Sequence, residues 1–157
     1  MMRRRLAMAF AGANFGAVLK ALAAAIPPGR PALVHGERVI GWGEFDAVTD
    51  RIAAGLRARG LQPGDIAGQM LRNTPEYLLA YFGCVKAGVV PVNVNYHYKA
   101  RELADIFSRF GLRALFTESD FADLARGDAG GHADGRCRGR RLGRAVRHAA
   151  ACRFRGA

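Results

Sequence analysis

The chain has 157 residues, half of them hydrophobic, with 24 Lys and Arg against 13 Asp and Glu; this fits one domain with a real core and excludes a wholly disordered chain. A net charge of +11 would point to nucleic acid or an anionic surface only if the basic residues shared a folded face. Their distribution argues against that: residues 1–125 hold 15 basic and 11 acidic side chains, whereas residues 126–157 hold 9 Arg and 2 Asp, so +7 of the +11 falls in the last fifth.

The chain opens with "MMRRRLAMAFAGANFGAVLKALAAA", which imitates a secretory signal in its arginines, apolar stretch and later small residues. The preferred reading is a disordered leader over residues 1–13, or a misplaced start, followed by an amphipathic helix. Phe15, Val18, Leu19, Leu22 and Ile26 recur at helical spacing, and Pro27 and Pro28 end it. An exported protein is the alternative. The longest membrane-span candidate, Leu6 to Leu19, has 14 residues, contains Asn14 and ends at Lys20, short of the roughly 18 apolar residues a span requires.

Next, "PALVHGERVIGWGEF" predicts a hairpin, Ala32 to His35 and Arg38 to Gly41, around a Gly36-Glu37 turn. A helix follows with Phe45, Val48, Ile52 and Leu56 on one face and Gly60 as its stop. Pro63-Gly64 reads as a turn into a strand at Ile66 to Met70, and Thr74 as the N-cap of a helix with Pro75 at its first position and Gly88 after its end. A buried strand is expected over Val89 to Val94. Then come a helix over Ala100 to Phe110, facing inward through Leu103, Ile106, Phe107 and Phe110, and a strand over Arg113 to Thr117. Strands alternating with helices over short connections imply parallel pairing, hence a partial doubly wound α/β sheet with flanking helices over residues 14–125.

From Arg126 to the last residue, 23 of 32 residues are Arg, Gly or Ala, with Leu142, Val146 and Phe154 as the only large apolar side chains. Such a stretch forms no core, and a disordered basic tail is expected. Its abrupt start is what a GC-rich gene yields in the wrong frame, so a frameshift or truncation is the preferred account and a genuine tail the other. Such a tail could hold phosphates in a salt-dependent way, but without interleaved aromatics or a fold it implies no specific nucleic acid.

Chemistry-bearing residues are few. Cys84, Cys137 and Cys152 have no framework spacing, which favours a reducing compartment, the cytoplasm. His132, Cys137, His148 and Cys152 could nominally hold zinc, but they form mixed ligand pairs without strands around them. Cys84 lies mid-helix beside Phe82 and Val85 and reads as a buried structural thiol, while His35 reads as a surface residue at a strand end. His97, between Tyr96 and Tyr98, is the best lone acid-base candidate. It has no carboxylate or nucleophile beside it in sequence, so a loop role is preferred. No G-x-x-x-x-G-K-[ST] occurs, and no G-x-G-x-x-G follows a strand.

The ordered set of the Pro31-Ala-Leu strand, the Gly41-Trp-x-Glu-Phe helix entry with "LRARGLQPGD", the Asn73-x-x-Glu76 helix start, and "KAGVVPVNVNY" before Glu102-Leu103 resembles the N-terminal part of the adenylate-forming superfamily, the AMP-dependent synthetases and ligases. The likeness runs from about Asn14 to Ser119 and is nearest to bacterial fatty-acyl-CoA synthetases. It implies ATP-dependent activation of a carboxylate to an acyl-adenylate, then transfer to coenzyme A, with ATP, Mg²⁺ and CoA bound by the intact enzyme. The superfamily's Ser/Thr-Gly-rich loop ending Pro-Lys-Gly, its adenine and Mg²⁺ segment, its ribose-binding Asp and its C-terminal catalytic Lys have no counterpart in this sequence. No catalytic, cofactor-binding or metal-binding residue can therefore be carried over. The expectation is a truncated acyl-CoA synthetase, inactive alone, with "VNVNYHY" favouring a fatty or other bulky acid over acetate. The alternative is a small basic protein that uses its Arg-rich tail on nucleic acid.

Overall fold

The computed structural model describes residues 15–121. The leader and the Arg-Gly-Ala tail, with His132, Cys137, His148 and Cys152, lie outside the described residues. In chain order the elements are α1 (Phe15–Ala25), β1 (Pro31–His35), β2 (Arg38–Gly41), α2 (Trp42–Ala58), β3 (Ile66–Met70), α3 (Pro75–Ala87), β4 (Val90–Asn93), α4 (Ala100–Phe110) and β5 (Ala114–Thr117).

Three helices end by one device. Gly60, Gly88 and Gly111 adopt positive φ of 82°, 78° and 59°, and the residue after each donates its N–H five residues back: Leu61 to Leu56, Val89 to Cys84, Leu112 to Phe107. These are Schellman ends, in which only glycine takes the left-handed position without strain. Leu61, Val89 and Leu112 are all buried, so each helix stop also anchors the next segment to the core. In the hairpin, Gly36 supplies the one positive φ, 58°, at the first central position, the pattern of a type II′ turn.

β1 and β2 pair antiparallel, with an irregularity between Pro31 and Leu33. β3, β4 and β5 form a parallel sheet of order β4-β3-β5. Because β4 and β5 lie on opposite sides of β3, right-handed crossovers send α3 and α4 to opposite faces. Packing agrees. On one face, Ala67, Leu71, Ala114 and Phe116 cluster with Ala53 and Leu56 of α2 and Ala80, Cys84 and Ala87 of α3. On the other, Met70, Val94 and Leu115 meet Leu103 and Phe107 of α4. A third cluster of Leu19, Ile40, Phe45 and Leu79 joins α1 and the hairpin to α2 and α3. Each large apolar side chain so buried contributes about 2 kcal/mol, and the doubly wound arrangement follows from the alternation along β3.

The sequence reading needs four corrections. β4 is an edge strand whose Val90 is 47 % exposed, because α3 and α4 cover the sheet on either side of β3 rather than its rim. α1 docks through Gly16 and Leu19, not through Phe15 and Leu22, which stay exposed, because Leu19 is the side chain that enters the cluster of Ile40, Phe45 and Leu79. Phe110 ends α4 with 45 % of its surface exposed, past the buried pair Leu103 and Phe107. Thr74 occupies the N-cap position of α3 but its side chain makes no capping bond; the Tyr77 N–H donates to the Thr74 backbone carbonyl at 3.1 Å.

Candidate functional site

In an open parallel sheet, ligands are received at the carboxyl ends of the strands where the strand order reverses. Here the reversal falls between β3 and β5, and three loops meet there: the one after Met70, the one after Asn93 and the one after Thr117.

Arg72 reaches across from the first loop to the third. Its backbone N–H donates to Glu118 Oε1 at 2.7 Å, its guanidinium to Glu118 Oε2, and the same Nη1 approaches Asp120 Oδ2 at 3.3 Å. The hydrogen bond to Glu118 raises the already high pKa of Arg72. The guanidinium lies 4.5 Å from the centroid of the Phe121 ring, a cation-π distance. Phe121 stacks on Tyr96 of the second loop with centroids 5.4 Å apart and planes 16° from parallel, and Tyr96 touches the His97 ring at 4.5 Å. The result is a ladder, Arg72 on Phe121 on Tyr96 on His97, that ties the three loops together.

The Tyr96-His97-Tyr98 triplet divides on folding. Asn95 shapes the turn: its Oδ1 accepts from the His97 N–H at 2.9 Å and its carbonyl from the Tyr98 N–H at 3.1 Å, an Asx turn. Tyr98 then packs against the α4 cluster, whereas Tyr96 and His97 face outward. His97 follows the Asx turn in the loop after β4, with its ring against Tyr96. Cys84 is fully buried in the α3 cluster. His35 ends β1, exposed and paired with Arg38.

Sequence reasoning missed Arg72, Glu118, Asp120 and Phe121. Their separations of 46 and 48 positions between Arg72 and its acidic partners carry no local signal. The rule that strand-following residues of a parallel sheet converge could have found them. Among the described residues no group of three or more His, Cys, Asp or Glu is placed to hold a metal ion, and Glu118 and Asp120 are both engaged by Arg72. These residues do not fit Mg²⁺. The clasp binds loops; it offers neither a nucleophile with its base nor a row of amides for phosphates.

The AMP-binding enzyme family matches residues 21–147. The chain belongs to that family. A medium/long-chain-fatty-acid–CoA ligase, FadD6, from Mycobacterium tuberculosis (strain ATCC 25618 / H37Rv) is 37 % identical over 91 residues, 58 % of this chain and 15 % of that protein. A fatty acid–[acyl-carrier-protein] ligase, ScoC, from Streptomyces coeruleorubidus is 35 % identical over 97 residues, 62 % of this chain and 19 % of that protein. Among solved structures, the N-terminal domain of FACL13 from Mycobacterium tuberculosis shares the fold with a TM-score of 0.68 at 24 % identity, covering 88 % of this chain and 37 % of that one. The chain thus spans under a fifth of the length of these two curated AMP-binding relatives. No helix among the described residues is long and apolar enough to cross a membrane. The nucleic-acid alternative rests on residues 126–157, outside the described residues.

Proposed function

We propose that this chain is the opening part of an ATP-dependent, AMP-forming acyl-CoA synthetase acting on a fatty or similarly bulky acid in the cytoplasm, and that its residues supply scaffold rather than reacting groups. The observation that carries this reading is the 37 % identity to a medium/long-chain-fatty-acid–CoA ligase across 91 residues, 58 % of this chain. Adenylation needs backbone amides and cations placed where negative charge develops on the transferring phosphate. In this family those groups stand on loops that have no counterpart in the present sequence, which supports assigning ATP, Mg²⁺ and CoA to the intact enzyme and no catalytic, cofactor or metal residue to this chain.

Two experiments separate the halves of the proposal. The purified chain with ATP, Mg²⁺, dodecanoate and CoA is expected to release no pyrophosphate above the blank; turnover would overturn the scaffold role. Grafting residues 15–121 in place of the matching segment of the mycobacterial fatty-acid ligase is expected to preserve fatty-acid-dependent pyrophosphate release. A folded chimera without that activity would overturn the family assignment of substrate class.

A further inference from the structure

Helix α1 has few apolar ties to the rest of the fold. Of its 11 residues only Gly16 and Leu19 are buried. Its strongest polar tie is Lys20, whose Nζ donates to Asp46 Oδ2 at 2.8 Å and to Asp50 Oδ2 at 2.5 Å, both on α2. The other oxygens of the same two carboxylates accept from Lys86 Nζ of α3, Asp46 Oδ1 at 2.6 Å and Asp50 Oδ1 at 2.8 Å. Two lysines and two aspartates close a ring that joins three helices.

The two lysines are not equivalent. The Lys86 side chain is 6 % exposed and also donates to the Asp46 backbone carbonyl at 3.2 Å, so it belongs to the body of the fold. The Lys20 side chain is 58 % exposed and forms the outward half of the ring. Without it, each aspartate still keeps one lysine. Beside the ring an open groove of about 310 Å³ runs along Gly16, Ala17, Ala53 and Arg57. Arg57, the remaining charged group there, donates to the Lys86 carbonyl at 2.5 Å and stays with the body.

We propose that α1 is a detachable latch: it undocks and redocks while α2 through β5 stay folded, and the contact of Lys20 with Asp46 and Asp50 sets how long it stays closed. Units held by little buried apolar surface open at a lower free energy than the core, and an ion pair with one half-exposed partner is weakened by salt. Undocking withdraws Leu19 from the cluster it shares with Ile40, Phe45 and Leu79 and opens that apolar cluster to solvent. The latch therefore regulates how much of that cluster is presented to solvent.

Amide hydrogen exchange of the full chain, followed by mass spectrometry at neutral pH, tests this. Amides of Leu22 to Ala25 are expected to exchange about three- to fivefold faster in Lys20→Met, or in wild type at about 0.5 M rather than 0.05 M NaCl, with β3 and α3 amides unchanged. Lys20→Arg, which keeps the charge, is expected to retain protection. The proposal is overturned if Lys20→Met leaves α1 protection unchanged, or if α1 loses protection only together with β3 and α3, as a general failure to fold would show.

Discussion

Ile52 of α2 fills the space that a side chain at Gly83 of α3 would need: a Cβ built on Gly83 meets Ile52 Cγ2 at 2.3 Å and Ile52 Cβ at 2.6 Å. The second contact is with the branch carbon next to the helix backbone, which cannot swing aside. Gly83→Ala is expected to lose about 1–3 kcal/mol by overpacking, more than the roughly 1 kcal/mol that alanine gains in helix propensity. Urea unfolding checks this. Combining Gly83→Ala with Ile52→Ala should recover part of the loss, and a stabilised single variant would contradict the packing described.

Gln69 lies fully buried at the centre of the sheet with its Oε1 unpaired among the described residues, while its Nε2 reaches the Tyr77 carbonyl only at 3.4 Å. A buried acceptor left without a donor costs about 1–3 kcal/mol. Gln69→Met, of similar shape and without that oxygen, is expected to raise the urea midpoint. A fall in the midpoint would show that the amide makes a stabilising contact.

The ring of charges predicts an asymmetry between its lysines. Lys86→Met removes a nearly buried cation and leaves Asp46 and Asp50 facing each other with only the exposed Lys20 between them, an expected loss of about 3 kcal/mol. Lys20→Met should cost within about 1 kcal/mol, as exposed pairs do. Chemical denaturation of the two variants ranks them, and equal losses would contradict the burial of Lys86.

Acid should loosen the fold through Asp46, Asp50 and Glu76. Burial pushes each carboxyl up, but hydrogen bonds from Lys20 and Lys86 to the aspartates, and from Arg38 to Glu76, more than offset it and hold all three below the usual carboxylate range. A carboxyl with a depressed folded pKa contributes stability that is present above its unfolded pKa, about 3.9 for Asp and 4.3 for Glu, and is lost as pH falls through the lower folded value. Unfolding free energy is expected to change little from these groups above about pH 5 and to decline below about pH 4. Asp46→Asn and Glu76→Gln should each flatten that decline, as a denaturant series across pH would show.

Where a signal was local, it could be read in advance. Glycine marked the helix ends at Gly60 and Gly88, and Pro75 marked a helix start. Valines at 90, 92 and 94 could not reveal which strand would be central, since their spacing is the same whether or not a neighbour covers them. That depended on β5 pairing with β3. The docking face of α1 was misjudged because hydrophobic spacing favoured Phe15 and Leu22 over Gly16, and the partners of Lys20 lie 26 and 30 positions away. At the sheet's carboxyl edge, Tyr96 and His97 drew notice for their chemistry. Arg72, Glu118 and Phe121, which fix their setting, were visible only once the strand order was known.

The central place of β3 also governs the order of assembly. β3 emerges from the ribosome before either of its sheet partners, and Val90 leaves the peptidyl centre 20 residues after Met70, about 1–4 s later at ordinary elongation rates. β5 follows later still. Throughout that interval the central strand of the parallel sheet has both hydrogen-bonding edges open. The nascent chain is therefore most vulnerable to aggregation before β4 arrives, and slower codons between Arg72 and Gly88 would prolong that exposure.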